Sequence, residues 1–199
     1  MKNIKTDVRL NPVLENLKRG GPAVILPKDI GQILSYTGVG KESVCIEAGT
    51  GSAFLTVSLA NICKIVYTYE KDVRFFEFAK ENIKRSMMSN IEIKQRDIIE
   101  GGFDKSIEKN KVDLIVLDMP FAEKAVSHAR TALKKGKFLV GYLTNIEQVK
   151  DFVKECEKED FQDIFTIETI QREYIIKEKG TRPVHQGLLH TAYLVFAKK

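Results

Sequence analysis

One stretch, from Val44 to Leu55, constrains the fold of this chain more than any other. It begins as a short apolar run, passes through Glu47 into the turn Gly49-Thr50-Gly51, and continues as an amphipathic segment. A strand, a glycine turn and a helix N-terminus in this order let the backbone approach a ligand closely. Such turns also occur where a strand merely meets a helix, so two spaced glycines alone are weak support for a binding site. Their interpretation depends on residues further along the chain.

Strand-like and helix-like segments alternate along most of the 199 residues. This alternation predicts an α/β fold with a doubly wound, mostly parallel sheet. The last two β-type runs have no helix between them and predict an antiparallel C-terminal hairpin at one edge, which makes seven strands in all. Residues 1–26 read as a loop-rich N-terminal arm, and residues 27–199 as the main domain. The predicted strands are 43–47, 64–69, 91–96, 112–117, 138–142, 161–176 and 189–197, and the predicted helices are 27–37, 54–61, 72–87, 121–133 and 145–158.

Composition narrows the class of protein. The chain is 43% hydrophobic and 30% charged, which fits a globular protein with an ample core. No run approaches the roughly 18–20 apolar residues that would span a bilayer, and the N-terminus lacks the apolar stretch of a signal peptide. Cys45, Cys63 and Cys156 are isolated from one another in sequence. They predict reduced thiols in a cytoplasmic protein without a zinc site.

The net charge of +5 is concentrated at the two ends of the chain. Residues 1–30 carry six basic and three acidic side chains, and residues 171–199 carry six basic and two acidic ones. Nucleic acid is therefore a candidate partner. On charge alone, solvated lysines are the better explanation.

Three acidic residues follow three successive predicted strands. Glu70 comes after the second strand, Asp97 after the third and Asp118 after the fourth. Each alone is explained as a helix cap or a solvated surface acid. Because ligands of open parallel sheets bind outside the carboxyl ends of the strands, all three should lie beside the glycine turn. Together they predict a site for a nucleotide-like ligand.

The identity of that ligand is narrowed by two residues beside the turn. The dinucleotide fingerprint needs a small residue three positions after Gly51, and this position holds Phe54. Glu47, two positions before Gly49, instead indicates a ligand with a cationic amino-acid end. S-adenosylmethionine has such an end, together with a ribose diol for Glu70 and an adenine amine for Asp97. The arrangement resembles the class I methyltransferases, which have a Rossmann-like sheet.

A wider set of short segments recurs in a fixed order along the chain. They are Leu17-Lys18-Arg19-Gly20, Leu26-Pro27-Lys28-Asp29, Glu47–Ser52, Tyr69-Glu70, Asp97, Leu117-Asp118-Met119-Pro120, Gln148-Val149, Arg182-Pro183 and His190-Thr191. In this order they resemble the tRNA (adenine-N1)-methyltransferase family of bacteria and archaea, which includes the catalytic subunit of the eukaryotic enzyme. The resemblance runs from about residue 17 to the C-terminus.

The resemblance implies an enzyme that uses S-adenosylmethionine to methylate N1 of adenine in tRNA, assembles as a homotetramer and requires no metal. It implies that Asp118 is the catalytic carboxylate, which accepts a hydrogen bond from the exocyclic amine as positive charge grows on the ring. The cofactor site that it implies consists of Glu47, Gly49, Thr50, Gly51, Ser52, Ala53, Glu70, Asp97, Ile98 and Asp118.

The chain departs from the family pattern in four places. Most of the family's small N-terminal β-domain has no counterpart in the roughly 26 residues before Pro27. Leu26 stands where the family usually has a tyrosine, and Ala122-Glu123 stand where Pro-Trp is usual. Ala53 replaces a third glycine, which is tolerated if its φ is negative. The first three departures bear on the methyl acceptor and not on the cofactor.

Two other functions are therefore kept as alternatives. One is a small-molecule methyltransferase, for example one acting on precorrins, which the short N-terminal arm favours. The other is a non-catalytic RNA-binding partner subunit, against which the intact Glu70, Asp97 and Asp118 argue. Lys28 and Asp29 are expected to shape the pocket lid, and the aromatic run Phe75, Phe76 and Phe78 is expected to be helix core.

Overall fold

The protein is a seven-stranded α/β sheet with a separate two-stranded hairpin, seen in a computed structural model that describes residues 11–104, 107, 109, 111–185 and 189–199. The strands are β1 (Val44–Ala48), β2 (Ile65–Glu70), β3 (Ile91–Gln95), β4 (Val112–Leu117), β5 (Leu133–Leu143), β6 (Gln162–Ile167), β7 (Tyr174–Lys177), β8 (Gly180–Pro183) and β9 (Tyr193–Lys198). The helices are α1 (Pro27–Thr37), α2 (Phe54–Ala60), α3 (Val73–Ser86), α4 (Ile98–Gly101), α5 (Val126–Ala132) and α6 (Ile146–Lys158), with a 3₁₀ turn at Ala122–Ala125.

The strand order of the large sheet is β3-β2-β1-β4-β5-β9-β6. Strands β1 to β5 pair in parallel, whereas β9 pairs antiparallel with both β5 and β6. The order reverses between β1 and β4, because the chain first builds outward to β3 and then returns to the other side of β1. This switch point is where an open parallel sheet binds ligands. The prediction of a doubly wound, mostly parallel sheet with antiparallel character at one edge is confirmed.

The C-terminal part of the sheet differs from the prediction in its details. The run predicted as one strand over residues 161–176 divides into β6 and β7, and the last strand begins at Tyr193. β7 and β8 form a hairpin of their own, which occupies most of the segment predicted as a connection. β5 starts at Leu133, five residues before its predicted start, because Leu133 pairs with Val112 of β4.

The core lies on both faces of the sheet, around β4. All six residues of β4 are buried, as its unbroken apolar sequence predicts for a central parallel strand. α1 and α2 cover one face through residues such as Ile33 and Leu59, and α5 and α6 cover the other through residues such as Ala129 and Phe152. Burying a side chain such as Leu59 or Phe152 contributes about 1.5–3 kcal/mol. No helix in the described ranges combines the length and apolar character needed to cross a bilayer.

The described part of the N-terminal arm is packed onto the domain. Leu14 and Leu17 are buried in one cluster with Phe54 of α2. The side chain of Asn82, which is fully buried in α3, accepts from the backbone N–H of Lys18 at 2.8 Å and donates to the Lys18 carbonyl at 3.0 Å. These contacts place residues 20–26 beside the carboxyl end of β1.

Ala53 does not meet the condition of a negative φ under which an alanine would be tolerated in place of a third glycine. Its φ is 61° and its ψ is 18°, so the residue before α2 is in the left-handed region. Residue type gives only an average preference for φ, and the fold overrides that preference at Ala53. A left-handed conformation costs a residue with a Cβ about 1–2 kcal/mol.

We predict that Ala53→Gly is less destabilising than Ala79→Gly by about 1–2 kcal/mol. Both alanines are fully buried and both substitutions remove one methyl group, but Ala79 lies in regular helix within α3. The difference between the two free energies of unfolding, measured in urea, therefore isolates the backbone cost at Ala53. Equal losses in the two variants would contradict the left-handed conformation.

Candidate functional site

A cavity of about 380 Å³ opens at the carboxyl ends of β1 to β4. This volume is in the range of small-molecule sites, and its position is the switch point of the sheet. All the residues predicted for a cofactor site line this cavity except Ala53. Those lining residues are Glu47, Gly49, Thr50, Gly51, Ser52, Glu70, Asp97, Ile98 and Asp118.

The glycine turn is possible only because residue 49 has no side chain. Gly49 has a φ of +89°, and a Cβ on it would lie 1.8 Å from the carbonyl oxygen of Asp118. The backbone N–H of Gly49 donates to the Tyr69 carbonyl at 2.9 Å, and that of Asp118 donates to the Ala48 carbonyl at 2.9 Å. The turn is thereby fixed between β2 and β4, with Asp118 directly beside it.

Glu70 connects the glycine turn to the start of α3. One of its carboxylate oxygens accepts from the backbone N–H of Gly51 at 3.0 Å, and the other accepts from that of Asp72 at 3.0 Å. A carboxylate offers about four acceptor sites, so each oxygen can still accept another hydrogen bond. Glu70 is therefore a fixed acceptor on the cavity wall.

Glu47 lies at the end of β1 in a nearly closed environment. Its carboxylate accepts hydrogen bonds from the hydroxyls of Thr56 and Thr68, the latter at 3.0 Å. Burial raises its pKa to about 8, and the hydroxyls of Thr56 and Thr68 only partly offset this, while the charges of Asp118 and Glu70 raise the pKa further. In the ligand-free protein Glu47 thus holds its proton near neutral pH.

The pKa of Asp97 is shifted in the opposite direction from that of Glu47, because Asp97 lies nearer the surface. Its carboxylate caps α4 by accepting from the backbone N–H of Ile99 at 2.9 Å, and Lys71 Nζ lies 3.4 Å away. Partial burial by itself raises the pKa of Asp97, but the Ile99 N–H and the Lys71 ammonium outweigh it, and the net pKa is lowered. Asp97 is therefore an ionised acceptor at the outer wall of the cavity.

The carboxylate of Asp118 accepts no hydrogen bond from the residues in the described ranges. It lines the cavity directly after β4. Burial, followed by the negative charge of Glu70, raises the pKa of Asp118 to about 7. A carboxylate of this kind, inside a cavity and with a displaced pKa, is a candidate for a role in chemistry.

A second polar cluster joins the first turn of α1 to the residues before β9. Lys28 Nζ lies 2.7 Å from Asp29 and 2.7 Å from the Thr191 hydroxyl, and that hydroxyl donates to Asp29 at 2.8 Å. Burial, followed by the charges of Asp29 and Asp118, raises the pKa of Tyr142. Lys28 and Asp29 are not among the residues that line the cavity, so their role in a pocket lid stays a prediction.

Sequence reasoning missed several residues of the wall. Phe75 was expected in the helix core, but it is partly exposed and lines the cavity, so that expectation is wrong. Asp72 caps α3 by accepting from the backbone N–H of Phe75 at 3.3 Å. Since Phe75 is in the first turn of a helix that starts at the carboxyl end of β2, its position along α3 was the signal that could have placed it. The arm contributes Pro22, Val24 and Ile25, which no sequence pattern indicated.

The fold and this cavity together define the class of the protein. A sheet in this order, with a glycine turn after β1 and acidic residues at the carboxyl ends of β2, β3 and β4, is that of a class I methyltransferase. Residues 21–181 match the family described as tRNA methyltransferase complex GCD14 subunit. The match covers most of the chain, and the chain belongs to this family of methyltransferases.

Individual relatives agree with this assignment. The chain is 35% identical to the tRNA (adenine(57)-N(1)/adenine(58)-N(1))-methyltransferase TrmI of Methanocaldococcus jannaschii, covering 94% of this chain and 74% of the relative. The crystal structure of the tRNA (m1A58) methyltransferase TrmI of Aquifex aeolicus superposes with a TM-score of 0.84 at 25% identity, over 95% of this chain and 75% of that one. A Thermotoga maritima structure described as a SAM-dependent O-methyltransferase superposes with a TM-score of 0.82 at 31% identity, over 89% and 67% of the two chains. The resemblance inferred from the sequence is confirmed.

The displaced pKa of Glu47 predicts a pH-dependent stability. Because the folded protein holds this proton up to a pKa of about 8 and the ordinary value is 4.5, the free energy of unfolding should fall as pH rises between these values. Glu47→Gln should remove that contribution, so the ligand-free variant should be more stable than the wild type at pH 8 and similar to it near pH 4.5. Urea unfolding at both pH values measures this difference.

Glu77→Gln, on the exposed surface of α3, is the matched control and should show no such divergence. If Glu47→Gln is no more stable than the wild type at pH 8, Glu47 is not held protonated by the fold.

Proposed function

We propose that this protein transfers the methyl group of S-adenosylmethionine to N1 of adenine in tRNA. The observation that carries the proposal is the carboxylate of Asp118, which accepts no hydrogen bond from a described residue. It lies beside the Gly49 turn and lines a cavity that is rich in acidic residues. Family membership supports the same conclusion, as do relatives named for methylation of adenine in tRNA.

The residues of the cavity fit S-adenosylmethionine. When bound, this cofactor supplies an electrophilic methyl group on a positively charged sulfur. Five acidic residues line the cavity, Glu47, Glu70, Asp72, Asp97 and Asp118, and they suit a ligand with a sulfonium and an ammonium. Glu47 would face the amino-acid end, Glu70 would accept from the ribose hydroxyls, and Asp97 with the backbone of Ile98 would hold the adenine. The backbone of Gly49, Thr50 and Gly51, with the Ser52 that follows, would form the wall against the ligand, and Ala53 would support that wall from outside the cavity.

Asp118 would act on the methyl acceptor. Adenine N1 carries a free lone pair, so the protein need not remove a proton before transfer. Positive charge then grows on the ring, and a carboxylate accepting from the exocyclic amine stabilises that charge. The remaining requirement is alignment of the acceptor, which can contribute roughly 7–11 kcal/mol. Phe75 and the arm residues at the cavity mouth would exclude water.

The partners follow from the same proposal. A tRNA substrate agrees with the net charge of +5, and it would place the protein in the cytoplasm. The β7–β8 hairpin exposes Tyr174 and Ile176, and an apolar surface of this kind supports assembly with further copies of the chain. We propose a homotetramer, as the family resemblance implies.

The direct test is incubation with labelled S-adenosylmethionine and total tRNA, followed by analysis of the modified nucleosides. The proposal predicts label in 1-methyladenosine. Label in a ribose-methylated nucleoside would instead favour an O-methyltransferase, and transfer to precorrins with none to tRNA would favour the small-molecule alternative. Cofactor binding without any transfer would favour the non-catalytic subunit.

Two substitutions should separate binding of the cofactor from turnover. We predict that Asp118→Ala lowers turnover by about 100- to 1,000-fold while affinity for S-adenosylmethionine changes little. Glu70→Ala should weaken cofactor binding, because it removes an acceptor and releases the backbone of Gly51. Calorimetry measures the affinity and initial rates measure the turnover.

Asp151→Ala, on the exposed face of α6, is the control and should leave both quantities unchanged. If Asp118→Ala loses affinity and turnover to the same degree, Asp118 is a binding residue and not a catalytic one.

A further inference from the structure

Phe121 is a large apolar side chain that the fold holds out into solvent beside the site. It is 60% exposed, and it comes three residues after Asp118. The two residues between them, Met119 and Pro120, both line the cavity. The ring therefore stands at the rim of the cleft, next to the carboxylate proposed to act on the methyl acceptor.

The backbone at Phe121 is strained. Its φ is 58° and its ψ is 37°, which is the left-handed region that bulky residues rarely occupy. It is the one aromatic residue in the described ranges with a positive φ. Such conformations persist where the surrounding structure fixes them, and they cluster at active sites and ligand clamps.

The strained position is also rigidly supported. Ala122 and Ala125, which follow it in the 3₁₀ turn, are buried in the core cluster under α5 and α6. The carbonyl of Phe121 accepts from the backbone N–H of Lys124 at 3.0 Å. Because the backbone of Phe121 is held in place, its side chain loses little conformational entropy when a flat ligand stacks on the ring.

A cation accompanies the ring. Lys124 Nζ lies 4.7 Å from the centroid of Phe121, over the face of the ring. An exposed aromatic ring beside a lysine is the combination with which proteins bind single-stranded nucleic acid, since the base stacks on the ring and the ammonium faces the phosphate.

We propose that the face of the Phe121 ring opposite Lys124 is the stacking platform for the nucleobase that receives the methyl group, with Lys124 contacting the neighbouring phosphate. This inference rests on the proposed function, because it requires an RNA acceptor at Asp118. Phe121, which lies in the loop after β4 and outside the cofactor cavity, would then orient the base.

Kinetics give the first test. Phe121→Ala should lower kcat/KM for tRNA by about 5- to 150-fold, since stacking of one base on an aromatic side chain is worth about 1–3 kcal/mol. The KM for S-adenosylmethionine should stay within about twofold, and Phe121→Tyr should restore activity because it keeps the ring. Met87→Ala is the matched control. Met87 is also exposed and left-handed, but it lies between α3 and β3, at the amino ends of the strands, whereas Phe121 lies at their carboxyl ends.

Fluorescence gives the second test. The chain contains no tryptophan, so Phe121→Trp introduces a single tryptophan at the proposed platform, and its fluorescence can be excited selectively. Its emission should be quenched when tRNA binds, with saturation at the tRNA concentration that saturates turnover. Met87→Trp, which places the tryptophan at the amino ends of the strands, should show no quenching of comparable size.

The outcomes separate this inference from the proposed function. If the wild type forms 1-methyladenosine but Phe121→Ala matches its kcat/KM for tRNA, the stacking role is refuted and the function stands. Emission that stays unquenched by tRNA in an active Phe121→Trp enzyme also refutes it. A change in sedimentation with unchanged kinetics would make Phe121 a contact between protein chains, again refuting it. If the wild type methylates no adenine in tRNA, the function fails and the inference fails with it.

Discussion

The close passage of Gly49 against the carbonyl of Asp118 is the contact on which the site depends. A side chain at position 49 would lie 1.8 Å from that oxygen, so only glycine lets β1 and β4 end side by side at the switch point. Strands β2 and β3 then end on the same edge, which brings Glu70 and Asp97 to the cavity that Asp118 closes. The acidic side chains at the ends of β2, β3 and β4 lie together because Gly49 has no side chain. The chemistry of the site follows from a packing constraint.

The same convergence raises the pKa values of two carboxyl groups at the site. Burial raises the pKa of Glu47 to about 8, and the charges of Asp118 and Glu70 add to that effect. Burial and the charge of Glu70 raise the pKa of Asp118 to about 7. A cationic ligand relieves this repulsion, and any ligand that binds only the folded protein also stabilises it. The left-handed backbones of Ala53 and Phe121 each lie next in sequence to a residue that lines the cavity, and strained conformations of this kind cluster at functional sites.

Much of the fold could be predicted from the sequence, because the relevant signals are local. The unbroken apolar run of β4 predicts a central strand, and an acidic residue directly after a parallel strand must emerge at the ligand edge. The left-handed φ of Ala53 could not be predicted, since the residue type disfavours it and tertiary packing imposes it. The exposure of Phe75 and Phe121 could not be predicted for a related reason, because an aromatic residue within an apolar pattern usually packs into the core. The β7–β8 hairpin was also missed, because β7 continues the β-type run of β6 and β8 lies in the segment that was predicted as a connection.

The central proposal, that the glycine turn, Glu70 and Asp97 hold the methyl donor against Asp118, is tested most directly by a crystal structure with S-adenosylhomocysteine. We expect ribose hydroxyls within hydrogen-bonding distance of Glu70, the adenine beside Asp97 and Ile98, and the sulfur facing Asp118 across the Gly49 turn. A ligand bound outside this cavity, or a ribose that leaves Glu70 bonded only to the backbone of Gly51 and Asp72, would contradict it.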